Sequence, residues 1–305
     1  MLKYWRRVKI ENELLYLFLN NRVAQIAAVV ALVSVFGALF APVVAPTNPY
    51  DLASFDLLDS FVPPVWTAQG DPRFFIGTDD QGRDLFSSIL YGTRLSLLVG
   101  LSAVTFAAIL GTCVGIAAGF FGGKFDAIVM RIADVQLSLP AILTALLVDG
   151  VARGLLPRER HEDLQLVVLT IAIGLSLWVN FARTARASTF VERNKEYVQA
   201  AEIMGLHPVR IMAVAILPNI LGPLMVIGTI DLAVAVLLEA TLSFLGVGVP
   251  PNQPSLGTLI RIGTEYIFSG EWWIVIFPSM TLIVMIISVN ILGDFFRAVL
   301  NPRLR

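Results

Sequence analysis

The sequence predicts an all-α, polytopic membrane protein with six transmembrane helices and both termini in the cytoplasm. Three observations carry this reading. Of 305 residues, 56% are hydrophobic and only 15% charged, with a mean hydropathy of +0.77, whereas a soluble domain carries about 25% charged residues. Six apolar runs, 23–45, 96–119, 128–148, 164–184, 221–244 and 272–292, reach the roughly 20 residues a helix needs to cross the hydrocarbon core. With the N-terminus inside, the inner segments hold fifteen Lys and Arg and the outer segments seven, the bias expected of cytoplasmic loops.

Residues 1–22 precede the membrane domain, which occupies 23–305. Lys3, Arg6, Arg7 and Lys9 followed by ELLYLFL read as an amphipathic helix lying in the interface. The first apolar run is longer than the roughly 7–15 residues of a signal-peptide core, so it is read as a retained span. The outer loop 46–95 is Pro-rich and acidic, with Asp51, Asp56, Asp59, Asp71, Asp79, Asp80 and Asp84. Its GTDDQGRD, residues 77–84, lacks the spacing and terminal Glu of a calcium loop. It reads as turn and helix-start chemistry, a structured rim facing an external partner.

Span two carries Gly111, Gly115, Gly119 and Gly123. Four residues apart, they form one smooth ridge on which a neighbouring helix can pack closely. Cys113, the single cysteine, lies in the same run and reads as a small buried side chain. His161 and His207 are too few for a metal cluster, and no metal site is expected. AGFFGGKF, 118–125, has Ala118 in place of the first P-loop Gly and Phe125 in place of the Ser or Thr. The chain is therefore not expected to hydrolyse ATP. A net charge of −1 gives no electrostatic reason for nucleic acid binding.

In span three, Arg131 and Asp134 lie near the inner end, and Pro140 is expected to kink the helix. The outer segment 149–164 carries Arg153, Arg158 and Arg160, offset by Glu159, Glu162 and Asp163. The cytoplasmic loop 185–219 contains EYVQAAEIMGLHPVRIMAVAILPN, residues 196–219. Glu196 to Met204 reads as a short helix, Gly205 as the left-handed residue that ends it, and Leu206 as the apolar contact that folds back. His207-Pro208 restarts a helix, and Pro218 bends it towards the bilayer. Ala200 and Ala201 are small enough for another surface to approach.

Asp231 and Glu239 lie in span five. At about 1.5 Å per residue, Asp231 lies well inside the span and Glu239 near its outer end. Asp231 either lines a path and holds a cationic group or is a structural residue bonded to a neighbouring helix. Trp272 and Trp273 open span six, where an aromatic belt is expected.

The 196–219 stretch resembles the cytoplasmic loop of ABC-importer permeases: Glu-Ala-Ala, three residues, Gly, nine residues, then Ile-x-Leu-Pro. Here the run is Gln199-Ala200-Ala201, Gly205 and Ala215-Ile216-Leu217-Pro218, departing at Gln199 and Ala215. IGTDDQGRDLFSSILYGTRLSLLVGL (76–101), LSFLGVGVPP (242–251) and LGDFFRAVLNPRLR are similar to landmarks of the C-type permease in the dipeptide/oligopeptide/nickel branch. The resemblance implies a type I importer fold, and half of a pathway completed by a second homologous permease in a bacterial inner membrane. It implies two partner ATPases that bind ATP and magnesium, an external solute-binding protein, and no cofactor on this chain. It further implies that residues 196–208 form a coupling helix docked in an ATPase groove, with Glu196, Gln199, Ala200, Ala201, Gly205, Leu206 and Pro218 as its coupling residues. Glu239 aligns with the glutamate of the family's Glu-x-x-Leu-Ser-Phe-Leu-Gly run, which implies a role in the outer gate or its packing. Members of this branch carry dipeptides, longer peptides, nickel complexes and some sugars. The alternative reading is a proton-coupled secondary transporter using Asp134, Asp231 and Glu239 as a relay. Such carriers often show inverted repeats, and none is evident here. A third reading is a structural membrane scaffold.

Overall fold

A computed structural model describes residues 16–51, 56–250 and 253–300. Among them, all regular structure is helical apart from one isolated bridge between Thr78 and Asp84. The principal helices are α1 (Arg22–Leu39), α2 (Leu85–Phe121), α3 (Gly123–Leu137), α4 (Ala141–Leu155) and α5 (Arg158–Arg193). They continue with α6 (Glu196–Ile203), α7 (Leu217–Phe244), α8 (Leu256–Tyr266) and α9 (Trp273–Leu300). Of the interfacial helix expected over the N-terminal segment, residues 16–19 are helical and 1–15 lie outside the described residues.

Five helical runs are long and apolar enough to cross a membrane: α1, α2, α5, the run Pro208–Phe244 that contains α7, and α9. The sixth is not straight. Where one span kinked at Pro140 was expected over 128–148, two helices, α3 and α4, meet at 98°. Pro140 has no N–H to continue the helix, and its ring disfavours the helical conformation at Leu139. The Ser138 hydroxyl closes the first arm by donating to the Val135 carbonyl at 2.6 Å.

Helix α2 begins at Leu85 rather than near 96, which shortens the preceding loop to 46–84. The Asp84 carboxylate supplies the start, accepting from the Ser87 N–H at 2.8 Å, a standard N-cap. The core of the bundle is the seam between α2 and α5. A β-carbon on Gly111 would lie 2.3 Å from the Trp178 carbonyl oxygen, and one on Gly115 2.3 Å from that of Ala182. On Gly119 it would lie 2.8 Å from the Arg186 oxygen. Only glycine admits this approach. Gly123 does not belong to the ridge: Gly122 has already ended α2 with φ +66°, and a β-carbon on Gly123 would meet nothing within 4 Å. Cys113 corrects a second expectation. It sits on the face of α2 turned away from the ridge and is exposed.

The described residues of 46–84 fold as a cover over the start of α2. Thr78 is fully buried and held from three sides. Its hydroxyl donates to the Asp59 carbonyl at 2.6 Å and accepts from the Val62 N–H at 2.8 Å, while its carbonyl accepts from Trp273 Nε1 at 3.0 Å. Trp273 is thus a buried bolt joining this cover to α9, not the interfacial anchor expected of it. GTDDQGRD is the turn itself. Asp79 and Arg83 form a buried ion pair at 2.6 Å, and Gly82, at φ +78°, lies where a β-carbon would be 2.0 Å from the Asp56 oxygen.

Candidate functional site

The segment between α5 and α7 builds a small platform at the end of the bundle opposite 46–84. Helix α6 ends in a Schellman motif: Gly205 at φ +73° donates its N–H to the Glu202 carbonyl, and Leu206 donates to that of Ala201. These bonds satisfy two carbonyls the helix end would leave open. Leu206 turns back onto the core. Val198 and Ala201 face the bundle and are buried, whereas Glu196, Gln199, Ala200 and Gly205 face outward. Beside them Ile203 is 88% and Met204 71% exposed.

Polar side chains bolt this platform to two spans. The Glu192 carboxylate at the end of α5 accepts from Lys195 Nζ at 2.5 Å and from the Tyr197 hydroxyl. Asn219 Nδ2, at the start of α7, reaches the Tyr197 oxygen at 3.2 Å. The phenol is pushed up to about 12, first by desolvation and then by the bond it donates to Glu192.

The chain re-enters the bundle without a break. His207 Nδ1 accepts from the Val209 N–H, and Pro208 opens the new helix. Residues Ile211–Ile216 then take the wider π-helical register, with the Leu217 N–H bonded to the Met212 carbonyl, and α7 follows directly. Pro218, which lacks a donor, falls immediately after this widened turn. Such π-turns are frequent at functional sites. The bend expected at Pro218 is therefore a change of helical register, the two helices expected within the loop 185–219 are present, and only residues 194–195 and 204–207 of it are non-helical.

The intramembrane carboxyls go to separate partners. Asp134 of α3 pairs with Arg183 of α5, one of three ties that hold α3 on α5. The others are Asp126 with Arg186, and the Gln136 carboxamide, whose oxygen accepts from Trp178 Nε1 at 2.7 Å. Asp231 is buried, and its two oxygens accept from Asn180 Nδ2 at 3.0 and 3.3 Å. Glu239 is fully buried, with one oxygen accepting from the Ser243 hydroxyl at 2.8 Å. Arg183 and Asn180 both lie on α5 and Ser243 on α7, but each carboxyl has its own partner, and among the described residues no hydrogen bond links one carboxyl to the next as a proton relay needs.

Two cavities open beside α2. One of about 450 Å³ lies between α2, α5 and α7, lined by Thr105, Ile109, Cys113, Phe181, Leu221 and Met225 among others. The second, of about 360 Å³, lies towards the 46–84 end, between Tyr50, Tyr91, Arg94, Leu98, Leu166 and Gln253. Sequence reasoning counted Arg94 only as an outer charge. Its position inside an apolar helix was the available signal.

Residues 111–305 match the family described as "Binding-protein-dependent transport system inner membrane component". The chain is 37% identical to the di/tripeptide transport system permease protein DppC of Pseudomonas aeruginosa, over 94% of this chain and 90% of that one. It is 33% identical to the dipeptide transport system permease protein DppC of Haemophilus influenzae, over 96% and 95% of the two chains. In Escherichia coli K12 the protein of the same name is 35% identical, over 96% and 93%. Among solved structures, a chain from the inward-facing MetNI methionine ABC transporter aligns at a TM-score of 0.55 with 20% identity. That alignment covers 70% of this chain and 96% of the other, and it speaks to the fold alone. The chain belongs to the binding-protein-dependent transport family as a multi-pass permease subunit of a bacterial ABC importer.

Proposed function

We propose that the chain forms half of the translocation pathway for dipeptides or closely related solutes, working with a second homologous permease. Relatives at 33–38% identity are named for di- and tripeptide or peptide transport, which supports this solute class. A solute-binding protein delivers the solute at the 46–84 face; the bias of Lys and Arg towards the other side supports this face as the outer one. Two partner ATPases bind ATP and magnesium on the opposite face, and lipid surrounds the rest.

One observation carries the coupling role. Helix α6 is bolted inward through Val198, Ala201 and Tyr197, yet it holds Ala200, Ile203 and Met204 out to solvent. Exposed apolar side chains on a fixed, short helix form a surface for a partner groove. ATP-driven closure of the ATPases moves that surface, and the Tyr197 network passes the motion to α5 and α7. A ligand shifts such an equilibrium only by differential affinity for the two states, which the ATPase groove supplies.

The test is Ile203→Glu in the reconstituted importer. It touches no packed neighbour, so the permease pair assembles normally, while ATP-driven uptake and co-purification of the ATPases are lost. Normal uptake by this variant overturns the coupling role. Gly205→Glu acts in the same direction but also strains the left-handed turn by about 1–2 kcal/mol.

A further inference from the structure

We infer that Arg94, framed by Tyr50 and Tyr91, forms an oxyanion site at the mouth of the pathway and takes the free carboxylate of the incoming solute. The inference rests on the importer reading above and adds a recognition step on the permease itself.

Arg94 lies in the third turn of α2, within a helix otherwise apolar enough to span a membrane. An arginine there is costly unless it finds a partner or water. Arg83, Arg153, Arg183 and Arg186 each hold a carboxylate. Arg94 makes no ion pair among the described residues, and its side chain is exposed to the cavity of about 360 Å³. That volume is in the range of small-molecule sites, about 300–1,000 Å³.

The frame around it is built rather than incidental. Tyr91 is buried one helical turn before Arg94, and Tyr50 meets it edge-on at 5.3 Å between ring centroids. Burial raises the Tyr50 phenol, opposed by the nearby Arg94 charge, and the hydroxyl is a hydrogen-bond donor. Gln253 contributes an amide, and Leu95, Leu98 and Leu166 complete an apolar wall. A guanidinium fork, phenolic hydroxyls and an amide beside low-dielectric walls suit a planar carboxylate held by paired hydrogen bonds.

The site also points somewhere. Positions 94, 98, 101, 105, 109 and 112 recur at three- and four-residue spacing, so they share one face of α2. Arg94 and Leu98 line the first cavity, and Thr105, Ile109 and Thr112 line the larger apolar one, about 20 Å further along the helix. A charged entrance followed by an apolar slot on one helix face is an order suited to a small zwitterion. The anchoring end is caught first, and the remainder meets greasy walls.

The experiment uses the whole importer in phosphatidylethanolamine–phosphatidylglycerol vesicles, with saturating binding protein, and compares wild type with Arg94→Gln and Arg94→Lys. The probes are L-alanyl-L-alanine and its C-terminal amide. Arg94→Gln lowers uptake of the free dipeptide by about tenfold or more, the loss expected of a charged hydrogen bond. Uptake of the amide and ATP hydrolysis stimulated by the binding protein stay unchanged, and Arg94→Lys falls in between. An equal loss for both probes overturns the inference, since Arg94 then holds a lipid phosphate or a carboxylate of the second permease. No loss for either probe overturns it as well. If the wild-type importer takes up neither probe with ATP, the underlying reading of the solute falls, and this inference falls with it.

Discussion

The two ends of the bundle are held in different ways. At the 46–84 end, buried polar groups make the joints: Thr78 has three partners, Asp79 holds Arg83, and Trp273 ties the cover to α9. At the α6 end, polar groups make the joints while apolar side chains stand in solvent. Apolar side chains stand out at the first end as well, with Leu58 at 90% and Phe268 at 99% exposure. Both ends therefore carry exposed apolar area of the kind a partner covers. They differ in the joints beneath it, which are buried within the 46–84 cover and part-exposed around Tyr197.

Graded substitutions sharpen this difference. The largest loss of stability is expected from Gly82→Val, which forces a β-carbon against the Asp56 oxygen at a positive φ. It costs about 3 kcal/mol, read as a fall in the thermal midpoint of the detergent-solubilised protein. Trp273→Phe removes the bond to the Thr78 carbonyl and leaves that oxygen buried without its partner, for about 2 kcal/mol. At the other end, Tyr197→Phe loses its bond to Glu192 and costs about 1 kcal/mol or less. It slows ATP-driven uptake by more than its stability loss accounts for, because it loosens the joint between α6 and the spans. Ile203→Glu is the smallest thermal effect, within about 0.5 kcal/mol, and is paired with loss of uptake. Equal thermal costs at the two ends would erase the distinction.

Much of the fold was legible in the sequence, for reasons that are local. Apolar runs of membrane length marked the spans, though α2, capped by Asp84, and α5 extend beyond them. The four-residue spacing of Gly111, Gly115 and Gly119 marked a close helix seam, and α5 lies against it. Gly205 marked the end of α6 because only glycine adopts a left-handed turn there without strain. What stayed hidden depends on tertiary partners. The elbow between α3 and α4 needs contacts from α5 to fix its angle. Helix α8 was missed because its eleven residues are too short to span, and its signal, the Ser255–Thr258 capping box, lies beside an irregular Pro-rich stretch. Gly123 continued a spacing whose helix had already ended. Trp273 looked like an interfacial ring until Thr78, distant in sequence, supplied its acceptor. The cavity at Arg94 draws on four separated segments and leaves no short pattern to read.

The bond between Asp231 and Asn180 has a mechanical meaning beyond its polarity. Asp231 sits midway along α7, a 28-residue helix about 42 Å long. Treated as a bar pinned at Asp231, and softened only at Pro223 near its Asn219 end, α7 would pivot as a see-saw. Turning it by about 10° about that fulcrum carries each tip about 4 Å, in opposite directions, for a bar of this length. Under the importer reading proposed above, a push beneath Asn219 would reach Glu239 with its sense reversed, closing a gap at one membrane face while opening another.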